Sequence, residues 1–181
     1  MAQAGVTLLE YRNKTGSDVE ILADAAILRD ALPVNQVKLV LDDRADLIAE
    51  TGFDGVHVDA GDASPVEARR LLGSGRIVGT FGGSDKLLPG ILNEPVDYLS
   101  VGPVFPTRTK KTSTAPIGAE GMRKLRQEAG ADAVLVAVGG ITLATAPAIL
   151  GAGANVLAVA GAIFRASDPV AEFRQWVSAL K

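Results

Sequence analysis

Short apolar runs alternate with amphipathic stretches along the whole chain. The runs are Val6–Tyr11, Val37–Leu41, Gly55–Val58, Arg76–Thr80, Tyr98–Val101, Ala133–Val138 and Asn155–Val159. "AVLVAV" at Ala133–Val138 and "NVLAVA" at Asn155–Ala160 are apolar on both faces, the pattern of parallel strands covered on each side. The stretches between them carry helix-start signals. Ser17-Asp18-Val19-Glu20 and Ser64-Pro65-Val66-Glu67 each place a hydroxyl at the cap and a carboxylate three residues on. Pro65 and Pro169 stand at first-turn positions, where a missing N–H costs no hydrogen bond. The returns to the next strand echo one another, "TGFDGV" at Thr51–Val56 and "GAGANV" at Gly151–Val156, with glycines suited to ending a helix. This is a βα repeat with no linker, so one domain is expected over residues 1–181. The alternation fits an open doubly wound sheet and a (β/α)8 barrel equally well. Seven units can be counted, and Met1–Ala4 reads as the last turn of a helix whose own strand is missing.

Composition narrows the class. The 181 residues are 48% hydrophobic and only 4% aromatic, so the core must rest on Val, Leu, Ile and Ala. The net charge of −3 argues against a general nucleic-acid binder, which carries a basic footprint, and leaves room for local basic clusters that hold small phosphorylated molecules. Cysteine is absent, which removes disulfides, thiolate metal ligands and a cysteine nucleophile together. Every apolar run is too short for a membrane span, and none resembles a signal peptide. A cytoplasmic protein is the expectation.

The residues that follow the runs bring chemistry to one end of successive strands. After the first comes Glu10-Tyr11-Arg12-Asn13-Lys14, in which alternation puts Glu10, Arg12 and Lys14 on one side. After the second comes Asp42-Asp43-Arg44, and the third runs on into His57-Val58-Asp59-Ala60-Gly61-Asp62. Asp43 reads equally as the cap of a helix beginning near Arg44. Paired with Asp62 it offers carboxylates from two loops, the donor type that Mg2+ takes. His57, the only histidine, reads as a packed residue, and Trp176 as core. The fifth run leads into Val101–Ser113, "VGPVFPTRTKKTS". Pro103 and Pro106 stiffen that exit, Thr107 and Thr109 supply hydroxyls, and Lys110 and Lys111 supply ammonium groups. Such a loop suits a phosphate or diphosphate. Gly139-Gly140 and Ala160-Gly161 follow the last two runs, where bare peptide N–H groups can approach an anion.

Together these segments resemble the thiamine-phosphate synthases and their sister group, the thiazole tautomerases. E-Y-R-N-K stands where that family has Q-L-R-E-K, D-D-R at Asp42–Arg44 where it has N-D-R, and G-V-H-V-D-A-G-D at Gly55–Asp62 where it has G-V-H-L-G-Q-E-D. Val101–Lys110 matches V-G-P-I-F-P-T-x-T-K nearly letter for letter, and Ala137–Ile141 matches A-I-G-G-I. The resemblance implies a (β/α)8 TIM-type barrel, here lacking its first strand and most of its first helix. It implies a Mg2+-dependent transferase that joins a hydroxymethylpyrimidine diphosphate to a thiazole phosphate and releases pyrophosphate. Arg12 and Lys14 would hold the diphosphate, Asp43 and Asp62 the metal, and Lys110 the pyrophosphate. Thr107 and Thr109 would contact the thiazole, and Gly139, Gly140, Ala160 and Gly161 would cradle its phosphate.

The chain departs from the family pattern at several of these positions. Glu10 replaces a glutamine expected at the pyrimidine and Asp42 an asparagine. Ala60-Gly61 stand for Gln-Glu, while Phe81 and Gly161 each replace a serine. Added carboxylates and lost hydroxyls should both weaken diphosphate binding. These changes motivate a second expectation, a phosphate-ligand-binding or regulatory relative without turnover. A tautomerase ranks lower, because Pro103 stands where that group has its catalytic histidine. A chain without the first strand would expose unpaired sheet-edge groups, which a late start of the sequence would explain and a second copy in a homodimer could cover.

Overall fold

The computed structural model describes residues 4–33, 36–109 and 112–180. Seven strands follow one another in both sequence and space. They are β1 (Leu8–Tyr11), β2 (Lys38–Asp42), β3 (Gly55–Val58), β4 (Ile77–Gly83), β5 (Tyr98–Val101), β6 (Leu135–Val138) and β7 (Val156–Ala158). Pairing is parallel from β1 to β4 and from β5 to β7. The helices are α1 (Asp18–Ala31), α2 (Ile48–Thr51), α3 (Pro65–Leu72), α4 (Gly118–Ala129), α5 (Ala146–Gly151), α6 (Gly161–Phe164) and α7 (Pro169–Ala179). The protein is therefore a seven-stranded parallel α/β fold. By density of contacts it falls into two compact units, residues 4–80 with 94–97, and residues 81–93 with 98–180.

In the first unit, β3 is buried along its whole length, whereas β1 is only half-buried, with Leu8 exposed. Val40, Val56 and Val78 are fully enclosed. Helix α1 starts as expected: Ser17 Oγ accepts from the Glu20 N–H, and Glu20 returns a bond to the Ser17 N–H at 2.8 Å. At α3 only the forward bond, Glu67 N–H to Ser64 Oγ, is made. In the second unit, Leu135, Ala137, Met122, Leu125 and Ile149 form the core, and Trp176 is buried with its indole N–H donating to Glu172. Here one expectation fails. The run Asn155–Val159 shortens to Val156–Ala158 and is not covered on both faces; among the described residues β7 ends the ladder, paired with β6.

One device ties strand starts to helices three times. Asp54 accepts from the Leu39 N–H (2.9 Å) and from Arg29 Nη2 on α1 (2.8 Å). Asp97 accepts from the Val78 N–H and from Arg69 Nη2 on α3, both at 2.7 Å. Asn155 accepts from the Leu135 N–H (2.8 Å) and from Arg126 Nη2 on α4. Each Asp or Asn also donates its own N–H to the carbonyl of the same strand residue. The echo between "TGFDGV" and "GAGANV" is this clamp seen in sequence. The planar, many-donor guanidinium lets one Arg bind the clamp oxygen and nearby backbone carbonyls at once: Arg69 also reaches the carbonyls of Gly73, Arg76 and Pro95, and Arg126 those of Gly130, Ala133 and Gly153.

Candidate functional site

The chemistry-bearing residues lie just beyond the strand C-termini, and each unit holds its own group. In the first unit, Arg12 and Lys14 leave the end of β1, Asp42 closes β2, Asp43 follows it, and Asp62 follows β3. Asn13 shapes the exit from β1: its carbonyl oxygen accepts from the Gly16 N–H, and its amide donates to the Tyr11 hydroxyl, which in turn donates to Asp24. Arg12 Nε then stands 2.8 Å from Asp42 Oδ2. Lys14 Nζ lies 3.1 Å from Asp62, 3.5 Å from Asp43 and 3.7 Å from Asp42. Two cations from one strand end thus meet three carboxylates from two others.

Asp43 and Arg44 both adopt left-handed backbone, with φ of 67° and 51°. Such a pair of non-glycine residues is costly and marks a constrained turn. The Asp43 N–H donates to the His57 carbonyl, and Arg44 is held by Asp18 and Asp46. The alternative role of Asp43 as a helix cap does not hold, since the 3-10 turn Ala45–Leu47 is capped by Arg44 with no side-chain bond. The strained turn instead leaves the Asp43 carboxylate facing Lys14.

Burial pushes the Asp42 carboxyl above the usual carboxylate range, with the opposing pull of Lys14 and Arg12 insufficient to cancel it. Its side chain is only 2% exposed, and Oδ2 makes no hydrogen bond of good geometry despite the two ion pairs. Glu10 keeps contact with solvent, yet the protein crowding its carboxyl raises it too. His57 and Arg12 oppose that rise, and Asp42 and Asp59 add to it. Burial alone would lower the Lys14 ammonium, but its hydrogen bond to Asp62 and the charges of Asp42, Asp62 and Asp43 raise it. His57 is buried, 3.7 Å from Asp59. Asp59 stands among the carboxylates after the third run, with no role assigned to it from sequence. Its N–H donates to Asp62 Oδ2 (2.8 Å), which fixes the oxygen that Lys14 also approaches.

In the second unit, Gly139 and Gly140 have positive φ and lie under the loop that leaves β5. A Cβ on Gly139 would stand 2.7 Å from Pro103 Cβ, and one on Gly140 would stand 2.8 Å from Phe105. The glycine pair is therefore required by packing as well as being free of side chains. The Val104 and Phe105 N–H groups donate to the carbonyls of Val138 and Gly139, fastening the loop to the end of β6. Thr107 Oγ1 accepts from the Thr109 N–H, and the Thr109 hydroxyl lies beside Gly161 at the start of α6, which Ala160 precedes. Lys110, assigned to pyrophosphate, and Lys111 lie outside the described residues. Phe81 was expected beyond the fourth strand. It lies inside β4, because the strand continues to Gly83. Gly82 permits this continuation, since a Cβ there would stand 2.9 Å from Leu99 Cβ. The hydroxyl of nearby Ser84 donates to the Gly102 carbonyl.

No ready-made set of three or more metal-ligating side chains is present among the described residues, and no helix among them is long and apolar enough to cross a membrane.

The family model described as thiamine monophosphate synthase matches residues 1–163. A thiamine-phosphate synthase of Koribacter versatilis is 42% identical over 159 residues, 88% of this chain and 74% of that protein. The thiamine-phosphate synthase of Agrobacterium fabrum is 37% identical over 181 residues, covering 97% of this chain and 82% of that protein. Among solved structures, a thiamine phosphate pyrophosphorylase from Pyrococcus furiosus superposes with a TM-score of 0.81 at 26% identity, over 99% of this chain and 85% of that one. Cations, carboxylates and glycines at the strand ends thus coincide with similarity that runs through nearly the whole chain, which belongs to the thiamine monophosphate synthase family.

Proposed function

We propose that the protein is a thiamine-phosphate synthase: a transferase that joins a hydroxymethylpyrimidine diphosphate to a thiazole phosphate. In this reaction the bond from the pyrimidine methylene carbon to the diphosphate oxygen breaks, and its electron pair leaves with pyrophosphate. The thiazole nitrogen supplies the pair for the new C–N bond. No side-chain nucleophile and no net proton transfer are needed, which suits a chain without cysteine and with one buried histidine. What the protein must supply is charge for the departing diphosphate and a fixed partner for the cationic carbon.

The observation that carries this reading is the meeting of Arg12 and Lys14 with three carboxylates at the strand ends. Arg12 and Lys14 hold the diphosphate. Asp43 and Asp62 would hold Mg2+, which when bound would supply positive charge for the leaving oxygens. The residues suit that ion: carboxylate oxygens are its preferred donors, and they already converge on a cation, with the buried Asp42 Oδ2 beside them lacking a hydrogen bond. Glu10 faces the pyrimidine. In the second unit, Thr107 and Thr109 orient the thiazole. Gly139, Gly140, Ala160 and Gly161 offer backbone N–H groups to its phosphate, and Lys110 meets the pyrophosphate. A (β/α)8 TIM-type barrel lacking its first strand and most of its first helix, a single domain over residues 1–181, a homodimer and a cytoplasmic location complete the reading.

Incubating the chain with both phosphorylated substrates and Mg2+ tests it. Thiamine phosphate and pyrophosphate are expected in equal amounts. Thermal stabilisation by the ligands without product would instead identify a non-catalytic phosphate-binding relative.

A further inference from the structure

We propose that Lys14 is the resident counter-ion of the Asp42–Asp43–Asp62 cluster, which a divalent cation must displace, and that a diphosphate gives the displaced ammonium its new partner. The proposal rests on the metal assignment made above and adds the order of events to it. The Lys14 ammonium stands 3.1, 3.5 and 3.7 Å from the three carboxylates. It occupies the ground that a metal ion bound to Asp43 and Asp62 would need. Two cations within that distance repel strongly at a partly buried site. Mg2+ also demands oxygen ligands at short range and keeps waters that an ammonium would exclude.

Three features make the displacement feasible and directional. Lys14 is on the loop between β1 and α1, its side chain is 26% exposed, and its stem is flexible, so the head can swing out. Asp62 Oδ2 is held by the Asp59 N–H and stays in place when the ammonium leaves. Asp42 Oδ2 is buried without a hydrogen bond, an oxygen poorly satisfied by the present arrangement. Asp42, where the family pattern has a neutral asparagine, also adds the third negative charge that draws Lys14 inward. Linkage then makes the two ligands cooperative. A diphosphate that captures Lys14 tightens metal binding, and a metal that frees Lys14 tightens diphosphate binding by the same factor. Metal alone and diphosphate alone should both bind weakly.

The test is Mn2+ binding, followed by the loss of the free-ion EPR signal at pH 7 with no substrate present. Lys14→Met keeps the apolar stem and removes the charge, and should bind Mn2+ about tenfold or more tightly than the unaltered chain. Lys14→Arg should remain as weak as the original. Adding Asp62→Asn to Lys14→Met should abolish the gain, tying it to this cluster. Equal Mn2+ affinity in Lys14→Met and the unaltered chain would overturn the proposal while leaving the metal assignment intact. No saturable Mn2+ binding by any of them would overturn both. Should Lys14→Met fail to fold, the unaltered chain answers the question: Mg2+ alone must shift the Lys14 13Cε NMR resonance, and an unmoved resonance in the metal-loaded protein refutes displacement.

Discussion

Strand β2 has a carboxylate at each end, and the two behave oppositely. Asp54 clamps its start and Asp42 closes its end. Each faces one arginine and one lysine: Arg29 at 2.8 Å and Lys38 at 3.0 Å for Asp54, Arg12 at 2.8 Å and Lys14 at 3.7 Å for Asp42. Burial would raise both. At Asp54 it is outweighed by hydrogen bonds from Arg29, the Leu39 N–H and Lys38, which hold the carboxyl below its ordinary value. At Asp42 burial wins. The nearby cations are alike in kind, so the difference lies in how well the bonds are made. Asp54 has a backbone N–H and well-directed donors, whereas Asp42 is more deeply enclosed and one oxygen has ion pairs without a hydrogen bond. A satisfied carboxylate builds a frame, and a crowded one leaves cations available for exchange.

The largest expected effect breaks the frame. Asp54→Ala strips Arg29 of its carboxylate partner, and Arg29 already has Nε and Nη1 buried without hydrogen bonds. Its remaining support is the face of Phe53, 5.3 Å from the guanidinium carbon. Urea denaturation should show a loss of about 3 kcal/mol, the scale for breaking a largely buried pair. A loss under about 1 kcal/mol, the range of exposed pairs, would mean the clamp is ornamental. Turnover per folded molecule should be unaffected.

The reverse profile is expected at the other end. Asp43→Asn should lower kcat roughly 100-fold, as removal of a group supporting transition-state charge does, while the urea midpoint barely moves. A destabilisation as large as that of Asp54→Ala would erase the distinction between the two ends.

The smallest effect is the most diagnostic, because it concerns sign. A carboxyl raised in the folded state binds its proton more tightly there than when unfolded. Stability is then lost as pH rises from the unfolded value near 4 through the folded one. Asp42→Asn, measured in chelator, should therefore be more stable than the original chain at pH 7, with the advantage vanishing below pH 4. Asp54, with its lowered carboxyl, contributes stability at neutral pH that fades on acidification below pH 4. Asp54→Asn should accordingly be less stable than the original at pH 7, and the deficit should shrink in acid. Deficits of the same sign for both variants at pH 7 would refute the contrast.

The alternation of apolar runs and capped helices revealed the seven strands, because those signals are local, but left their order in space open. The signal at Ser17-Asp18-Val19-Glu20 became the full cap of α1. The clamps were not legible, since Arg69 and Asp97 or Arg126 and Asn155 are far apart in sequence and no local period joins them. The end of β4 was misread because Gly82-Gly83 resembles a turn; only the proximity of Leu99 explains a glycine within the strand. In the first-unit group, alternation could place Glu10, Arg12 and Lys14 together. It could not reveal that Asp42 would be the buried hub of their charges, because burial depends on packing that spacing does not encode.

The threefold clamp also bears on how such a protein can change over time. Each of these three strands is anchored at its beginning by an acceptor just before the next strand and by an arginine of the preceding helix, not by the turn directly after its own C-terminal end. Insertions, new side chains or altered lengths after β2, β4 or β6 can therefore be tried without unfastening the scaffold, so the fold can be retooled for other small phosphorylated compounds at modest risk to folding.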